Sequence, residues 1–370
     1  MLSRRSFLGL MPPAAALLYA AWPGISFGTM PARLPPAREM EDIIRKWSFF
    51  VDKDWDANLL QEALLEGDSG GVTDCLRGFD PYASYTSAQE LAVMKSLAAD
   101  HPAGVGMDIF EDRQKRVRCV PNPGSPAEIA GIRYRDILKG VDGQSVHGMA
   151  LSDIARLIRG SGDSTVVLAV HGEDAPIRIV LVKRTAAHYP TVARTRISPA
   201  VLRIFRFARQ TEKELASCLE KLPEDEGCVI DLRGNTGGNM EAGVACAKLF
   251  LPEGEMILRL KSRKSIKNFT ATEKGKWAEL PLSLVQDQFT ASAAELFIAA
   301  LTSAGRARSH GNQSAGKACV QNLFTLSDGS VLKLTTEKML YPGRDDDWEG
   351  VGIPPAPAED SNPKGAIHAQ

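Results

Sequence analysis

The sequence has no excess of charge of either sign and no metal-binding pattern. Its 44 basic and 45 acidic residues leave a formal net charge of −1, without a basic arm or an acidic tail, so charge gives no basis for binding nucleic acid or an anionic membrane. The six cysteines include no CxxC pair, and the six histidines are scattered. We therefore expect no metal and no cofactor. Cys228, Cys246 and Cys319 lie in apolar segments, which favours buried thiols over disulfides.

The sequence also lacks a long uninterrupted apolar run. Residues 1–28 carry a basic pair, Arg4–Arg5, followed by an apolar stretch that three prolines interrupt. The uninterrupted part is too short to span a bilayer comfortably, so we favour a cleaved export signal over a retained membrane anchor. Residues 3–8 resemble the bacterial twin-arginine signal, which implies export to the periplasm. Removal of residues 1–28 would change the net charge to −1 − 2 = −3.

A length of 370 residues suits two or three domains. The pattern of apolar and polar residues divides the chain after residue 28 into four segments. Residues 29–98 are predicted to be mostly helical, without visible chemistry, and to form a collar or a homodimer contact. Residues 99–185 alternate short strands around one good helix. Residues 186–353 alternate helices with buried strands, which indicates an α/β domain. Residues 354–370 are rich in proline and polar residues, which favours a flexible tail.

Ser292 lies where a polar stretch turns into an apolar helix, in FTASAAELF, residues 289–297. With Glu295 it forms the S-x-x-E pattern of a helix capping box. Taken alone, these residues favour a capping serine. A nucleophilic serine would have the same local sequence, so other stretches have to decide.

Lys317 lies in GNQSAGKACVQ, residues 311–321. Gly311 to Lys317 fits the phosphate-loop pattern G-x-x-x-x-G-K, but Ala318 replaces the hydroxyl residue that would bind magnesium, and the following residues favour a strand. We therefore expect no nucleotide. Small and apolar neighbours suit a neutral lysine that acts as a base, although a solvated loop lysine is the ordinary alternative.

A third stretch, DLRGNTGG at residues 231–238, places a glycine turn between a predicted strand and a predicted helix. Such a turn could aim backbone N–H groups at an oxyanion, or it could be a simple turn. Together the three stretches resemble the carboxyl-terminal processing, or tail-specific, serine peptidases. DLRGNTGG, TASAAE, GKACVQ and DGSVLKLT follow in the family's order, and serine and lysine are 317 − 292 = 25 positions apart. The resemblance covers roughly residues 40–355.

This resemblance implies a crotonase-like α/β catalytic core, an inserted PDZ-like domain and an N-terminal helical region. It also implies roles for individual residues. Ser292 would be the nucleophile and Lys317 the general base, with Gln321 as the third member that orients the lysine. Gly238 and Ala293 would give backbone N–H groups to the oxyanion.

Residues 99–185 resemble the PDZ domains of bacterial envelope proteases. The loop that would offer N–H groups to a peptide's terminal carboxylate consists of Gly104, Val105, Gly106 and Met107. The peptide would add as a strand beside the helix that carries Ile154 and Ile158. The alternative is that the glycines only form a tight turn and that the helix stripe is core, and both can hold because most of the stripe must be core in any case. Arg159, on the same helix, is predicted to contact the catalytic side.

The sequence departs from the family pattern at five positions, namely Gly234, Ala294, Asn312, Ala315 and Ala318. Family members often have an asparagine, a second serine, a glutamate, an aromatic residue and a glycine at these places. None of the changes removes a catalytic group, but those in the lysine loop leave rate and regulation open.

The function predicted from these patterns is an exported serine endopeptidase that cleaves proteins near apolar C-terminal tails. The rival prediction is a non-catalytic binder of peptide tails or lipids on the same fold. An acyl-CoA enzyme of the crotonase type is less favoured, because the chain carries an export signal and a PDZ-like segment.

Overall fold

The computed structural model describes residues 35–52, 55–92, 95, 103–112, 114–149, 151–186, 189–223 and 226–357. The predicted export signal and most of the predicted tail lie outside these ranges. Within them, no helix has both the length and the apolar character needed to cross a membrane.

Three helices and a short strand open the described chain. Their bounds are α1 Pro35–Trp47, α2 Ala57–Leu65, α3 Ser69–Arg77 and β1 Ser84–Thr86. Asp56 and Asp68 cap α2 and α3 by accepting backbone N–H groups of the first turn, as short carboxylates do at helix N-termini. Buried side chains of these helices share one core with Leu326, Leu332 and Leu334. The N-terminal helices are therefore packed on the C-terminal part of the chain.

A six-stranded antiparallel domain follows. Its elements are β2 Met107–Glu111, β3 Val117–Pro121, α4 Pro126–Ile129, β4 Ile137–Val141, β5 Gln144–Ser145, α5 Leu151–Ile158, β6 Thr165–His171 and β7 Arg178–Lys183. The strand order is β2-β3-β4-β6-β7, with β5 paired to β4. The alternating burial of β6 and β7 places one face of this sheet on a separate apolar core, as expected for a half-covered antiparallel sheet.

The remaining elements build two further sheets. They are β8 Val192–Arg196, β9 Ala200–Ile204, α6 Thr211–Leu219, β10 Cys228–Asp231, α7 Met240–Lys248, β11 Met256–Ser262, β12 Ile266–Thr270, β13 Leu282–Gln286, α8 Ala293–Ser303, β14 Arg308–Gly311, β15 Cys319–Thr325 and β16 Val331–Leu340. One sheet has the order β14-β13-β10-β9-β8, with β9, β10, β13 and β14 parallel. The other has the order β1-β16-β11-β12, with β15 on β16.

Helix α8 lies in the middle of the largest core. Every residue from 293 to 301 is buried, which suits a helix that is apolar nearly all round. The predicted α/β alternation is thus confirmed as mixed sheets packed on helices.

All six cysteines are free thiols. Cys228, Cys246 and Cys319 are buried, as their apolar surroundings predicted. Within the described ranges, no group of three or more histidine, cysteine, aspartate or glutamate side chains is arranged to hold a metal ion.

Candidate active site

The loops that carry the predicted active-site residues meet at one edge of the parallel sheet. The turn 231–238 follows β10, the segment 287–292 follows β13, and the segment 312–317 follows β14. Because the carboxyl ends of neighbouring parallel strands lie at the same edge, loops far apart in sequence are brought together there. The strand order therefore explains why residues 25 positions apart can share a site.

Ser292 directly precedes α8 in a strained backbone conformation. Its φ is 56° and its ψ is −119°, a region that non-glycine residues rarely adopt and that costs on the order of 1–3 kcal/mol. Ser292 and Glu295 have the outline of a capping box, and the Ser292 N–H donates to Glu295 Oε2 at 2.8 Å. The Ser292 hydroxyl, however, makes no capping hydrogen bond of normal geometry. The helix is thus capped mainly through Glu295, and the hydroxyl is not committed to capping.

Gly237 of the glycine turn lies directly against the serine. It has φ 100°, and a Cβ added there would be 2.8 Å from the Ala291 carbonyl oxygen and from Ser292 Cβ, so only glycine permits this approach. Asn235, which is fully buried, holds the arrangement from both sides. Its Oδ1 accepts the Gly237 N–H at 2.9 Å, and its carbonyl accepts the Ala291 N–H at 2.9 Å. The turn and the serine loop therefore form one unit.

The two N–H groups assigned to an oxyanion have no hydrogen-bond partner among the residues described here. Phe207 pairs with the neighbours of Gly238 and not with its N–H, because it donates to the Gly237 carbonyl and accepts from the Asn239 N–H. Ala293 is the first residue of α8, where backbone N–H groups lack partners inside the helix. The positive end of the helix dipole adds to the attraction for an anion at this place.

Glu295 joins the serine to the lysine loop. It is fully buried; its Oε1 accepts the Ser314 hydroxyl at 2.6 Å and the Gly316 N–H at 2.7 Å, and its Oε2 accepts the N–H groups of Ser292 and Lys317, each at 2.8 Å. Because the last two share one oxygen, their backbone nitrogens are at most 2.8 + 2.8 = 5.6 Å apart. Burial raises the pKa of the Glu295 carboxyl, and its hydrogen bonds oppose that rise.

The side chain of Lys317 lies in a partly buried position beside Tyr82, with its Nζ 5.4 Å from the centre of the ring. Burial lowers the pKa of Lys317 below its ordinary range, whereas Glu349, Cys319 and Glu295 raise it through their charges. Burial is the larger influence, because charged groups lose hydration when they leave water. The surroundings therefore favour the neutral amine that a base requires.

The predicted third member, Gln321, lies on β15. Its Nε2 contacts the Thr335 hydroxyl at 3.4 Å, and Thr335 in turn donates to Asp80 at 3.0 Å. No contact between Gln321 and Lys317 is recorded for the described part of the chain, so the orienting role of Gln321 stays a prediction.

The comparisons with known proteins agree with this geometry. Residues 198–356 match the model of peptidase family S41, and residues 117–171 match that of the PDZ domain. The carboxy-terminal processing protease CtpA of Bacillus subtilis (strain 168) is 30% identical over 291 residues, which are 78% of this chain and 62% of the relative. The chain therefore contains a peptidase family S41 domain and a PDZ domain. The resemblance to the carboxyl-terminal processing peptidases is thereby confirmed.

One further relative and one solved structure agree with this domain assignment. A "Probable CtpA-like serine protease" of Staphylococcus aureus (strain COL) is 30% identical over 270 residues, 71% of this chain and 54% of the relative. The chain thus spans about half the length of this curated relative. A solved photosystem II D1 C-terminal processing protease has 25% identity and a TM-score of 0.70, covering 89% of this chain and 92% of that one.

The PDZ domain has an open strand edge beside a helix. Strand β2 is at the edge of its sheet, and α5 packs next to it. Of the predicted loop, Gly104 does not have a free N–H, because it donates to the Thr185 carbonyl at 3.0 Å. The prediction for Gly104 is therefore corrected: it anchors the loop. Val105 and Gly106 have N–H groups without partners among the described residues, and Met107 begins β2.

Ile154 and Ile158 of α5 are buried in the core of the PDZ domain. Their packing corresponds to the alternative in which the helix stripe is core. Arg159 is exposed, and among the described residues it has no recorded contact with the catalytic side.

Other residues connect the PDZ domain to the loops around Ser292. The Tyr134 hydroxyl donates to Asp287 Oδ2 at 2.5 Å, and Arg135 Nη2 donates to the same oxygen at 3.2 Å. Asp287 Oδ1 accepts the N–H groups of Gly234 at 3.1 Å and Phe289 at 3.0 Å. A Cβ added to Gly234 would be 2.2 Å from the Tyr134 ring. This close packing explains the departure from the family's asparagine at position 234.

Sequence reasoning missed several residues of this site. Glu295 was interpreted only as a capping partner, although its S-x-x-E pattern next to the serine was the available signal. Asp287 directly follows β13, and a carboxylate this close to the serine was the available signal. Tyr82 and Glu349 had no local signal, because their contact with the lysine loop depends on the packing of distant segments.

Proposed function

We propose that this chain is a serine endopeptidase in which Ser292 is the nucleophile and Lys317 the general base. The observation that carries the proposal is the single Glu295 oxygen shared by the N–H groups of Ser292 and Lys317, each at 2.8 Å. A buried carboxylate that binds both backbones holds the two residues close together in the fold. The pKa of Lys317, lowered by burial, supports its role as a base.

The proposed reaction has two steps. Neutral Lys317 takes the hydroxyl proton as Ser292 Oγ attacks the peptide carbonyl, and the oxyanion accepts hydrogen bonds from the N–H groups of Gly238 and Ala293. The lysine then gives the proton to the leaving amine, and an acyl-enzyme on Ser292 remains. Lys317 next takes a proton from water, which attacks the ester and releases the new carboxyl terminus. The serine regains its proton from the lysine.

We infer that the PDZ domain binds the substrate's C-terminal tail. Its edge strand β2 leaves backbone groups available for an added strand, as in β-strand addition by peptides. The unpartnered N–H groups of Val105 and Gly106 support a carboxylate site at the start of that strand. The apolar surroundings of α5 favour apolar tails.

We also infer that the parallel sheet with α7 and α8 is a catalytic core of the crotonase type. The parallel order of β9, β10, β13 and β14 supports this inference. Export to the periplasm, and a homodimer through the N-terminal helices, remain proposals from the sequence. Replacing Arg4 and Arg5 by lysine should retain the protein inside the cell, as cell fractionation would measure.

The central experiment compares cleavage of fluorogenic peptides with apolar tails by four variants. Ser292→Ala and Lys317→Ala should each lower kcat/KM by at least about a thousandfold, because removal of a group that attacks or transfers the proton stops covalent catalysis. Two exposed residues give matched controls, Ser303→Ala at the far end of α8 and Lys261→Ala on β11. These controls should keep the wild-type rate. Equal cleavage by the wild type and Ser292→Ala would overturn the assignment of Ser292 as the nucleophile, and no cleavage by the wild type would favour a non-catalytic binder.

A second comparison tests tail binding. The same peptide with a free carboxylate and with an amidated C-terminus should differ in KM by about tenfold or more, because a charge-assisted hydrogen bond to backbone N–H groups is lost. Equal KM values for both peptides would remove tail recognition from the proposal and leave the catalytic part standing.

A further inference from the structure

A segment far from the catalytic motifs in sequence covers the lysine. Tyr82 belongs to FDPYASY, which follows α3, and the Lys317 Nζ lies 5.4 Å from the centre of its ring. The segment is tied to β16, because Asp80 accepts the Thr335 N–H at 2.6 Å and the Thr335 hydroxyl at 3.0 Å. The Tyr82 N–H also donates to Asp80 Oδ1 at 3.0 Å. The ring is therefore held in place and is not a freely moving surface aromatic.

Glu349 contacts both the backbone that follows Lys317 and the Tyr82 side chain. Its Oε2 accepts the N–H groups of Ala318 at 2.7 Å and Cys319 at 3.0 Å, the two residues that follow Lys317. Its Oε1 accepts the Tyr82 hydroxyl at 2.5 Å. One carboxylate thus fixes both the backbone after the lysine and the ring beside its ammonium group.

We propose that Tyr82 and Glu349 are positioning residues that hold Lys317 and set the pH at which it becomes a neutral base. This inference rests on the proposed role of Lys317 as the general base. Tyr82 and Glu349 shift the protonation equilibrium of Lys317 in opposite directions. The ring excludes water from the amine, which favours the neutral form, whereas the charge of Glu349 favours the ammonium form.

Other charged and titratable groups also face the lysine. Glu295 and Cys319 raise its pKa together with Glu349, and Lys333 and Lys317 are close enough for the charge of Lys317 to lower the pKa of Lys333. Among these, Glu295 binds the Ser292 loop directly, and the Cys319 thiol is buried with a pKa raised by burial. Glu349 is therefore the negative charge that can be changed without removing the link between serine and lysine.

The test is the pH dependence of kcat/KM for peptide cleavage by the full chain. Glu349→Gln keeps the shape of the side chain and removes its charge. The acid limb of the kcat/KM–pH profile should therefore move to lower pH by about one unit, because the loss of a nearby opposite charge lowers the pKa of the lysine. The maximal rate should fall several-fold, because a base of lower pKa accepts a proton less readily. Glu349→Asp keeps the charge and should restore the position of the limb within about 0.3 unit.

Tyr82→Leu gives an independent test with the opposite sign. Loss of the ring admits water to the amine and should move the acid limb to higher pH. The cation–π attraction that is lost at the same time would lower the pKa of Lys317, but this effect is smaller than that of the regained hydration. A purely structural role for either residue would lower the rate without moving the limb.

Glu337→Gln is the matched control, since Glu337 is a half-buried carboxyl on β16 whose charge is not among those acting on Lys317. It should leave the limb in place. An unmoved limb in both Glu349→Gln and Tyr82→Leu would overturn the proposal. Cleavage that persists in Lys317→Ala would instead refute the function on which it rests. If a variant slows turnover too far, the pH dependence of Ser292 labelling by an organophosphonate gives the same measurement.

Discussion

Among single residues, Glu295 accepts four hydrogen bonds while fully buried, two on each carboxylate oxygen. A buried ionised carboxyl is stabilised only when its oxygens are satisfied. The four donors come from the serine loop and the lysine loop. The carboxylate therefore depends on both loops for its hydrogen bonds, and both loops depend on the carboxylate as an acceptor. The residue is therefore more than a helix cap.

We predict that Glu295→Gln destabilises the protein by about 2–4 kcal/mol, because its amide NH₂ would face N–H donors that lose their acceptor. Activity should fall by at least about a hundredfold, since the backbones of Ser292 and Lys317 lose their shared partner. Urea unfolding and peptide cleavage measure the two effects. Glu241→Gln, an exposed carboxyl in the first turn of α7, is the control and should change stability by less than about 0.5 kcal/mol. A similar small change in Glu295→Gln would contradict the prediction.

Lys317 supports a second prediction at this scale. Its pKa is lower in the folded chain than its ordinary value of about 10.4, so the unfolded chain holds the proton more tightly. The folded state therefore bears a cost at neutral pH, which declines as the pH rises from the lowered pKa towards the ordinary value. Lys317→Met should be inactive and yet more stable than the wild type at pH 7. The difference in unfolding free energy should shrink by pH 10, and a constant difference would refute this account.

At the scale of elements, the order of the parallel strands brings together three loops that no single sequence motif places in contact. The sequence patterns predicted the strand before the glycine turn of DLRGNTGG, the helix after Ser292 and the strand after Lys317, because each has a clear apolar pattern. They could not predict the positive φ of Ser292 or the approach of Tyr82 to Lys317. The conformation of Ser292 goes with the packing of Gly237 against the serine. The contact of Tyr82 with Lys317 goes with the pairing of β1 with β16. Both are tertiary contacts without a local signal.

Gly237→Ala tests the contact between the glycine turn and the serine loop. The new Cβ would lie 2.8 Å from the Ala291 carbonyl oxygen, so the serine loop must move, and kcat should fall by at least about a hundredfold. Gly254→Ala is a matched control, because Gly254 also has positive φ, 83°, but nothing lies within 4 Å of the added Cβ. It should cost only the backbone strain, about 1 kcal/mol, with normal activity. Equal activity in both variants would show that the close approach is dispensable.

For the whole molecule, three separate cores have to be aligned. The PDZ domain and the catalytic domain each have their own apolar cluster, so their relative position depends on the interface between them. Phe289 packs there against Phe110 at 5.2 Å and Tyr134 at 6.4 Å between ring centres. Asp287 collects polar donors from both domains. The same short segment, 287–291, leads directly into Ser292, so we expect a shift at the interface to change the position of Ser292.

A double-mutant cycle on Tyr134 and Asp287 tests this connection. Tyr134→Phe removes a hydrogen bond to a charged group and should cost about 1.5–3 kcal/mol, and its effect should not add to that of Asp287→Asn. A coupling of about 1–2 kcal/mol is expected for such a contact. Because Asp287 also holds the N–H groups of Gly234 and Phe289, Tyr134→Phe should lower kcat as well as stability.

Tyr189→Phe separates domain coupling from simple loss of a tyrosine hydroxyl. Tyr189 bonds the Thr185 hydroxyl at 2.7 Å, and neither residue belongs to the loops around Ser292. This variant should lower the unfolding free energy by about 1 kcal/mol and leave kcat unchanged. If Tyr134→Phe behaved in the same way, with stability reduced and kcat intact, the PDZ domain would be a passive attachment. A selective fall in kcat would instead show that its docking supports the geometry of the turn and the serine loop.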